Sequence, residues 1–113
     1  MKTSYFAKYK KPDGVSIALY GPKWFEFSSE PALMPTWKLI SGIKNGSLSP
    51  DEYEKIYRAE ILSKLDPFVI YEKHQNSVLL CWEKIGEFCH RRIVASWIER
   101  ETGHVVEEYG IWK

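Results

Sequence analysis

The residues best suited to chemistry lie in one stretch, 78–103, which has the sequence VLLCWEKIGEFCHRRIVASWIERETG. Its pattern indicates a buried strand, a short loop and an amphipathic helix that begins near Cys89, His90 and Arg91. The first N–H groups of a helix have no partner within the helix, and together with the helix dipole they attract anions. A thiol, an imidazole and a guanidinium group at such a place predict a site for an anionic ligand.

Cys89 is also a candidate nucleophile, because a helix N-terminus and neighbouring positive charge favour a thiolate. His90 or Glu83 could act as its base, which leaves a cysteine-dependent enzyme as the alternative function. A redox form would pair Cys89 with Cys81 if the loop folded the helix start back over the strand end. Packing alone also accounts for either thiol, more readily for Cys81. The close ligand pairs of a structural zinc site are missing, so we predict no metal site.

Lys23 and Trp24 extend the predicted ligand-binding set. They follow Gly21-Pro22 and begin a loop, 23–35, that is long enough to be functional. A cation beside an aromatic ring is typical of base or sugar recognition, although Trp24 could simply pack over the edge of the core.

Glu83 completes the set, one residue past the apolar run. It could orient His90 or Arg91, or be exposed to solvent. Consecutive residues of a helix point about a quarter turn apart, so at most one of Arg91 and Arg92 shares a crevice with the thiol. Helix geometry alone does not decide which of the two faces the site.

The chain alternates between strand and helix patterns. Ser49-Pro50-Asp51-Glu52 combines a capping serine, a proline at the first helical position and a returning glutamate. The run 68–71 alone is also typical of a strand. The predicted elements are strands 4–9 and 15–20, helices 36–44, 50–64 and 66–73, strand 77–82, a helix from 87 or 88 to Gly103, and strand 104–109.

Short connections and right-handed crossovers fit these elements into a small three-layer α/β sandwich with a mainly parallel sheet. We expect one domain over residues 1–113, because a chain of this length has room for a single core. Ligands bind such sheets at the carboxyl ends of the strands. The loops after Tyr20 and Trp82 begin at such ends, which would bring the predicted ligand-binding residues together.

The composition and net charge of the chain limit the kinds of partner that we expect it to bind. The formal net charge of +1 gives no global attraction for nucleic acid, so nucleic acid is an unlikely partner and any anion site must be local. An aromatic content of 15% is that of a folded protein and argues against disorder. The N-terminal residues have no signal-peptide core, and no apolar run approaches a membrane span. We therefore expect a cytoplasmic protein with reduced thiols.

A hydrophobic strand that ends in Leu-Cys-x-Glu and is followed closely by Cys-His-Arg is the hallmark of the domain of unknown function 488 family. This family occurs in bacteria, archaea and phages, and the chain resembles its short members. The lead-in segments 3–8, 16–18 and 21–24 are similar as well. The resemblance implies a helix at 66–73. It also favours Arg91 as the residue that faces the site, with Arg92 facing solvent, but it implies no settled activity. The residues that carry the motif are Leu80, Cys81, Glu83, Cys89, His90 and Arg91.

The sequence therefore predicts a small cytoplasmic domain that binds an anionic, phosphate-bearing, nucleotide-like ligand at the helix start 89–91. We expect no cofactor. The resemblance permits a phage-type protein that sequesters such a ligand. The alternative is a cysteine-dependent enzyme, nucleophilic or redox, that uses Cys89 with His90.

Overall fold

A computed structural model describes residues 1–84 and 87–109 of the chain. Ile85 and Gly86 of the predicted loop and residues 110–113 of the predicted domain lie outside the described residues. The elements are β1 (Lys2–Tyr5), β2 (Gly14–Ser16), β3 (Ser28–Ser29), a 3₁₀ turn (Pro31–Leu33), α1 (Trp37–Asn45), α2 (Pro50–Glu60), a second 3₁₀ turn (Leu62–Lys64), α3 (Pro67–His74), β4 (Val78–Cys81), α4 (His90–Thr102) and β5 (Glu107–Glu108).

The sheet has five strands in the order β3-β2-β4-β1-β5, and every pairing is parallel. All four residues of β4 are buried, and its neighbours are β1 on one side and β2 on the other. The predicted α/β fold with a parallel sheet is confirmed. The continuous apolar run was the useful signal, because a strand covered on both faces needs no polar side.

The two faces of the sheet are covered differently. Val15 and Leu79 point to one face, where side chains from all four helices pack against them in the larger hydrophobic cluster. Val78 and Leu80 point to the other face, since side chains alternate along a strand, and there they meet Phe6 and neighbouring aromatic rings. Among the described residues, this second cluster contains none from a helix. The third layer is thus built by loops.

The helix ends follow the predicted caps. Ser49 and Glu52 form a reciprocal capping box at the start of α2. Asp66 accepts hydrogen bonds from the first turn of α3, which settles the segment 68–71 as helix. Gly46 and Gly103 end α1 and α4 in the left-handed conformation, with φ of 82° and 79°.

Several predicted elements were too long. β1 and β2 stop at Tyr5 and Ser16, because the chain turns out of the sheet after each. α2 ends at Glu60 and is followed by the second 3₁₀ turn. The last strand, β5, is shorter than the predicted strand 104–109. α4 begins at His90, later than predicted, with Cys89 as its cap residue. Within the described residues, no helix is long and apolar enough to cross a bilayer.

Candidate functional site

An open cleft of about 830 Å³ lies at the carboxyl ends of β2 and β4. Its walls come from the segment after β2, from α1 and α2, and from the segment between β4 and α4. This is the edge where ligands bind in parallel sheets. Five aromatic side chains are among the lining residues: Tyr20, Trp37, Tyr53, Trp82 and Phe88.

Three of these aromatic side chains are exposed to solvent and form the aromatic rim of the cleft. Tyr20, Trp37 and Trp82 are 66%, 60% and 52% exposed, respectively. The indole Nε1 of Trp82 donates a hydrogen bond to the carbonyl oxygen of Tyr20 at 2.6 Å, and the rings of Tyr20 and Trp37 meet edge to face at 6.4 Å. These contacts hold the three rings beside the cleft instead of in the core.

Cys81 and Cys89 form a disulfide in the wall of the cleft. The expectation of two reduced thiols is therefore wrong for this structure. Cys81 ends β4 and Cys89 caps α4, so the disulfide joins the strand end to the helix start. Bringing these two ends together was the condition for a redox pair. Both residues are buried, with exposures of 1% and 5%.

His90 lies against the disulfide and has a defined tautomer. Its Nε2 is 2.7 Å from the carbonyl oxygen of Ile17, and a carbonyl can only accept, so Nε2 carries the proton. Nδ1 is therefore unprotonated and faces Cys89 Sγ at 3.9 Å. Burial lowers the pKa of His90 to about 4, the charge of Arg91 adds to this effect, and the bond to Ile17 opposes it. The ring is neutral at pH 7.

Arg91 does not face the cleft. Its guanidinium is 1% exposed and forms a bidentate ion pair with Glu108, with an Nη2 to Oε2 distance of 2.7 Å. It also donates to Cys81 Sγ at 3.0 Å and to the carbonyl oxygen of Glu83 at 2.7 Å. The sequence predicts a ligand contact for Arg91, but every one of these contacts is internal. Through its ion pair with Glu108, the guanidinium links the start of α4 to β5.

Arg92 and Glu83 lie close to their predicted places. Arg92 is half-exposed, and it donates to the Thr3 hydroxyl and to the Val106 carbonyl oxygen. The side chain of Glu83 lines the cleft, while its carbonyl oxygen binds Arg91. The structure thus brings together the cysteines, His90, Arg91 and Glu83.

Lys23 and Trp24 do not join this group. Trp24 packs edge to face against Phe6 and Phe25, and the Lys10 ammonium lies 5.2 Å from its ring centre. Lys23 is exposed and does not line the cleft. Packing at the edge of the second core cluster, the alternative considered for Trp24, describes its surroundings better than a ligand contact.

Sequence reasoning missed the aromatic rings of the cleft. Tyr20 and Trp82 end two predicted strands and Trp37 lies in the predicted helix 36–44, so none of them belongs to the predicted ligand-binding set. A signal was present, because Trp37 directly follows Thr36, the cap of α1, and a first-turn position is often exposed. Glu108 gave no signal, since its partner lies 17 positions away along the chain.

The positively and negatively charged side chains around the cleft are equal in number. Lys44 and Lys84 line it, as do Glu83 and Glu87. Burial raises the pKa of Tyr53, and the charge of Glu83 raises it further, so the Tyr53 hydroxyl stays protonated. The cleft therefore combines apolar rings with a few polar groups, as small-molecule sites usually do.

Comparisons with protein-family models, with curated proteins and with solved structures found no match. The resemblance to the domain of unknown function 488 family stays a prediction.

Proposed function

We propose that the protein binds a small nucleotide-like ligand, with the planar ring of the ligand against the aromatic rim of the cleft. The observation that carries this proposal is the exposure of Tyr20, Trp37 and Trp82 around one cavity. Large aromatic rings kept out of the core at one place are typical of a binding surface. Ring stacking on such side chains contributes about 1–3 kcal/mol per base.

The cleft volume fits a ligand of this class. Small-molecule pockets usually occupy about 300–1,000 Å³, and this cleft of about 830 Å³ lies within that range. Its position at the strand ends agrees with the usual location of ligands in parallel sheets.

An anionic group of the ligand has a place at the start of α4. Cys89 and His90 line the cleft there, and the Cys89 side chain accepts no capping hydrogen bond. First-turn N–H groups of the helix are thus free of a side-chain cap and favour a phosphate. Arg91 takes no part in this proposal, because Glu108 holds it.

Isothermal titration calorimetry with matched nucleosides and nucleotides tests the proposal. Adenosine, AMP, uridine and UMP separate the contribution of the ring from that of the phosphate. We expect binding by at least one nucleotide, and weaker binding by its nucleoside. Trp37→Ala should weaken that binding about tenfold or more, which corresponds to about 1.4 kcal/mol.

Trp24→Ala is the matched control. Trp24 is an exposed tryptophan like Trp37, with 49% exposure, but it does not line the cleft. It should change the affinity less than twofold. Absence of binding by every compound of the panel, or equal losses of affinity in both variants, would contradict the proposal.

A second candidate is thiol–disulfide exchange, because the Cys81–Cys89 disulfide lines the same cleft. A dithiol partner would break the bond between the two sulfurs, leave both cysteines as thiols and end as a disulfide itself. Redox titration against glutathione, read by alkylation and mass spectrometry, tests this candidate. A reduction potential above about −300 mV would favour exchange, and a lower one would mark a structural bond.

A further inference from the structure

Three metal-ligating side chains converge in the wall of the cleft. Cys81 Sγ, Cys89 Sγ and one ring nitrogen of His90 all lie within 4.8 Å of one another. All three residues are buried and all three line the cleft. Two sulfurs and an imidazole are ligands that Zn²⁺ prefers.

The His90 ring is already oriented as a metal ligand. Its Nε2–H donates to the carbonyl oxygen of Ile17, so the lone pair of Nδ1 faces the sulfurs. Metal-binding histidines generally donate their other ring N–H in this way, which fixes the tautomer and the ring plane. A disulfide sulfur carries no hydrogen, so Cys89 Sγ, 3.9 Å away, gives that buried nitrogen no proton to accept.

The spacing also suits a shared ion. Tetrahedral zinc with ordinary bond lengths places its sulfur and nitrogen ligands about 3.5–3.8 Å apart. The 3.9 Å between Cys89 Sγ and His90 Nδ1 is close to that value. The Cα atoms of Cys81 and Cys89 are 7.3 Å apart, beyond the roughly 4.4–6.8 Å usual for disulfides. Backbone positions this wide suit two thiolates around an ion.

An outer contact supports negative charge on the Cys81 sulfur. Arg91 Nη1 donates to Cys81 Sγ at 3.0 Å, and Glu108 holds the guanidinium in place. Such partners orient the ligands and adjust the charge of a metal site.

From this geometry we propose that the reduced protein binds one Zn²⁺ through Cys81 Sγ, Cys89 Sγ and His90 Nδ1. Two thiols bind the ion as thiolates and release two protons. Three protein ligands leave a fourth position, as in catalytic rather than structural zinc sites. That position faces the cleft, where water or a ligand atom would occupy it. Zinc binding at this site does not require a bound nucleotide.

The experiment begins with reduction by a phosphine, which takes up the oxygen of water as the disulfide becomes two thiols. After the phosphine is removed without air, Zn²⁺ is titrated in competition with a chromophoric chelator. We expect one equivalent bound to the reduced protein and none to the oxidised protein. Cys81→Ser, Cys89→Ser and His90→Ala should each weaken binding at least tenfold.

His104→Ala is the control, because His104 is exposed and stacks on Tyr71 away from the cleft. It should leave zinc affinity unchanged. Co²⁺ loaded into the unaltered reduced protein gives a readout that needs no variant. Thiolate-to-cobalt charge transfer and strong tetrahedral visible bands are expected, and added imidazole should shift the visible bands through the open position.

Three results would each overturn the inference. These are no binding by the reduced protein, cobalt spectra without thiolate bands, and zinc affinity that a folded His90→Ala variant retains. Circular dichroism establishes which variants are folded before their affinities are compared.

Discussion

Replacing Glu108 by glutamine should destabilise the fold severely, because Arg91 would lose its counter-charge in the core. Both side chains are almost fully buried, and the pair is joined by Nε and Nη2 of the guanidinium. Removing one partner of a buried ion pair costs about 3–5 kcal/mol. A domain of this size has a total stability of about 5–15 kcal/mol, so Glu108→Gln removes a large part of it.

The double variant Arg91→Met with Glu108→Leu sharpens this prediction. Replacing both charges removes the uncompensated ion, and such swaps are often close to neutral. Here the Glu83 carbonyl oxygen and the Thr3 hydroxyl each lose a partner, at about 1 kcal/mol apiece. We expect a net cost of about 2 kcal/mol, less than that of Glu108→Gln.

Urea unfolding followed by tryptophan fluorescence measures these differences. Glu107→Gln is the control, since Glu107 is exposed and adjacent on the same strand. It should change the free energy of unfolding by less than about 0.5 kcal/mol. A loss below about 1 kcal/mol for Glu108→Gln would show that the buried ion pair contributes little to stability, and Arg91 would then be available to a ligand.

Two further predictions concern stability. Ser49→Ala should lower the free energy of unfolding by about 1 kcal/mol in urea titrations, because it removes the cap that binds the Glu52 N–H. Burial alone would raise the pKa of Glu30, but bonds from Lys73, His74 and a backbone N–H outweigh it and lower the pKa to about 2. A depressed carboxyl stabilises the fold above its unfolded value of 4.5 and loses that contribution as the pH falls toward 2. Unfolding at stepped pH should show this loss, and a Glu30→Gln variant that keeps the same slope would contradict the assignment.

The sheet and the helix caps were predictable because their causes are local. An apolar run such as 77–82 and a capping sequence such as 49–52 act over a few residues. The sequence could predict the contact between Cys81 and the start of α4 only as a condition for a redox pair. That contact depends on tertiary geometry and not on a local pattern. Strand lengths were overstated because aromatic residues such as Phe6 favour strands, yet here they pack in turns.

The orientation of Arg91 was not predictable from the motif. Its partner Glu108 lies on the last strand, which reaches the site only after β5 pairs with β1. The aromatic rim depends on tertiary geometry in the same way. Trp37 and Trp82 are far apart in sequence, and only the assembled sheet and α1 place both beside one cleft.

A crystal structure of the complex with the tightest-binding nucleotide of the calorimetric panel would show whether the ligand occupies the cleft. We expect the ring of the ligand against Tyr20, Trp37 or Trp82, with the phosphate toward the first turn of α4. A ligand bound instead at Lys23 and Trp24, with the cleft left to solvent, would contradict the proposal.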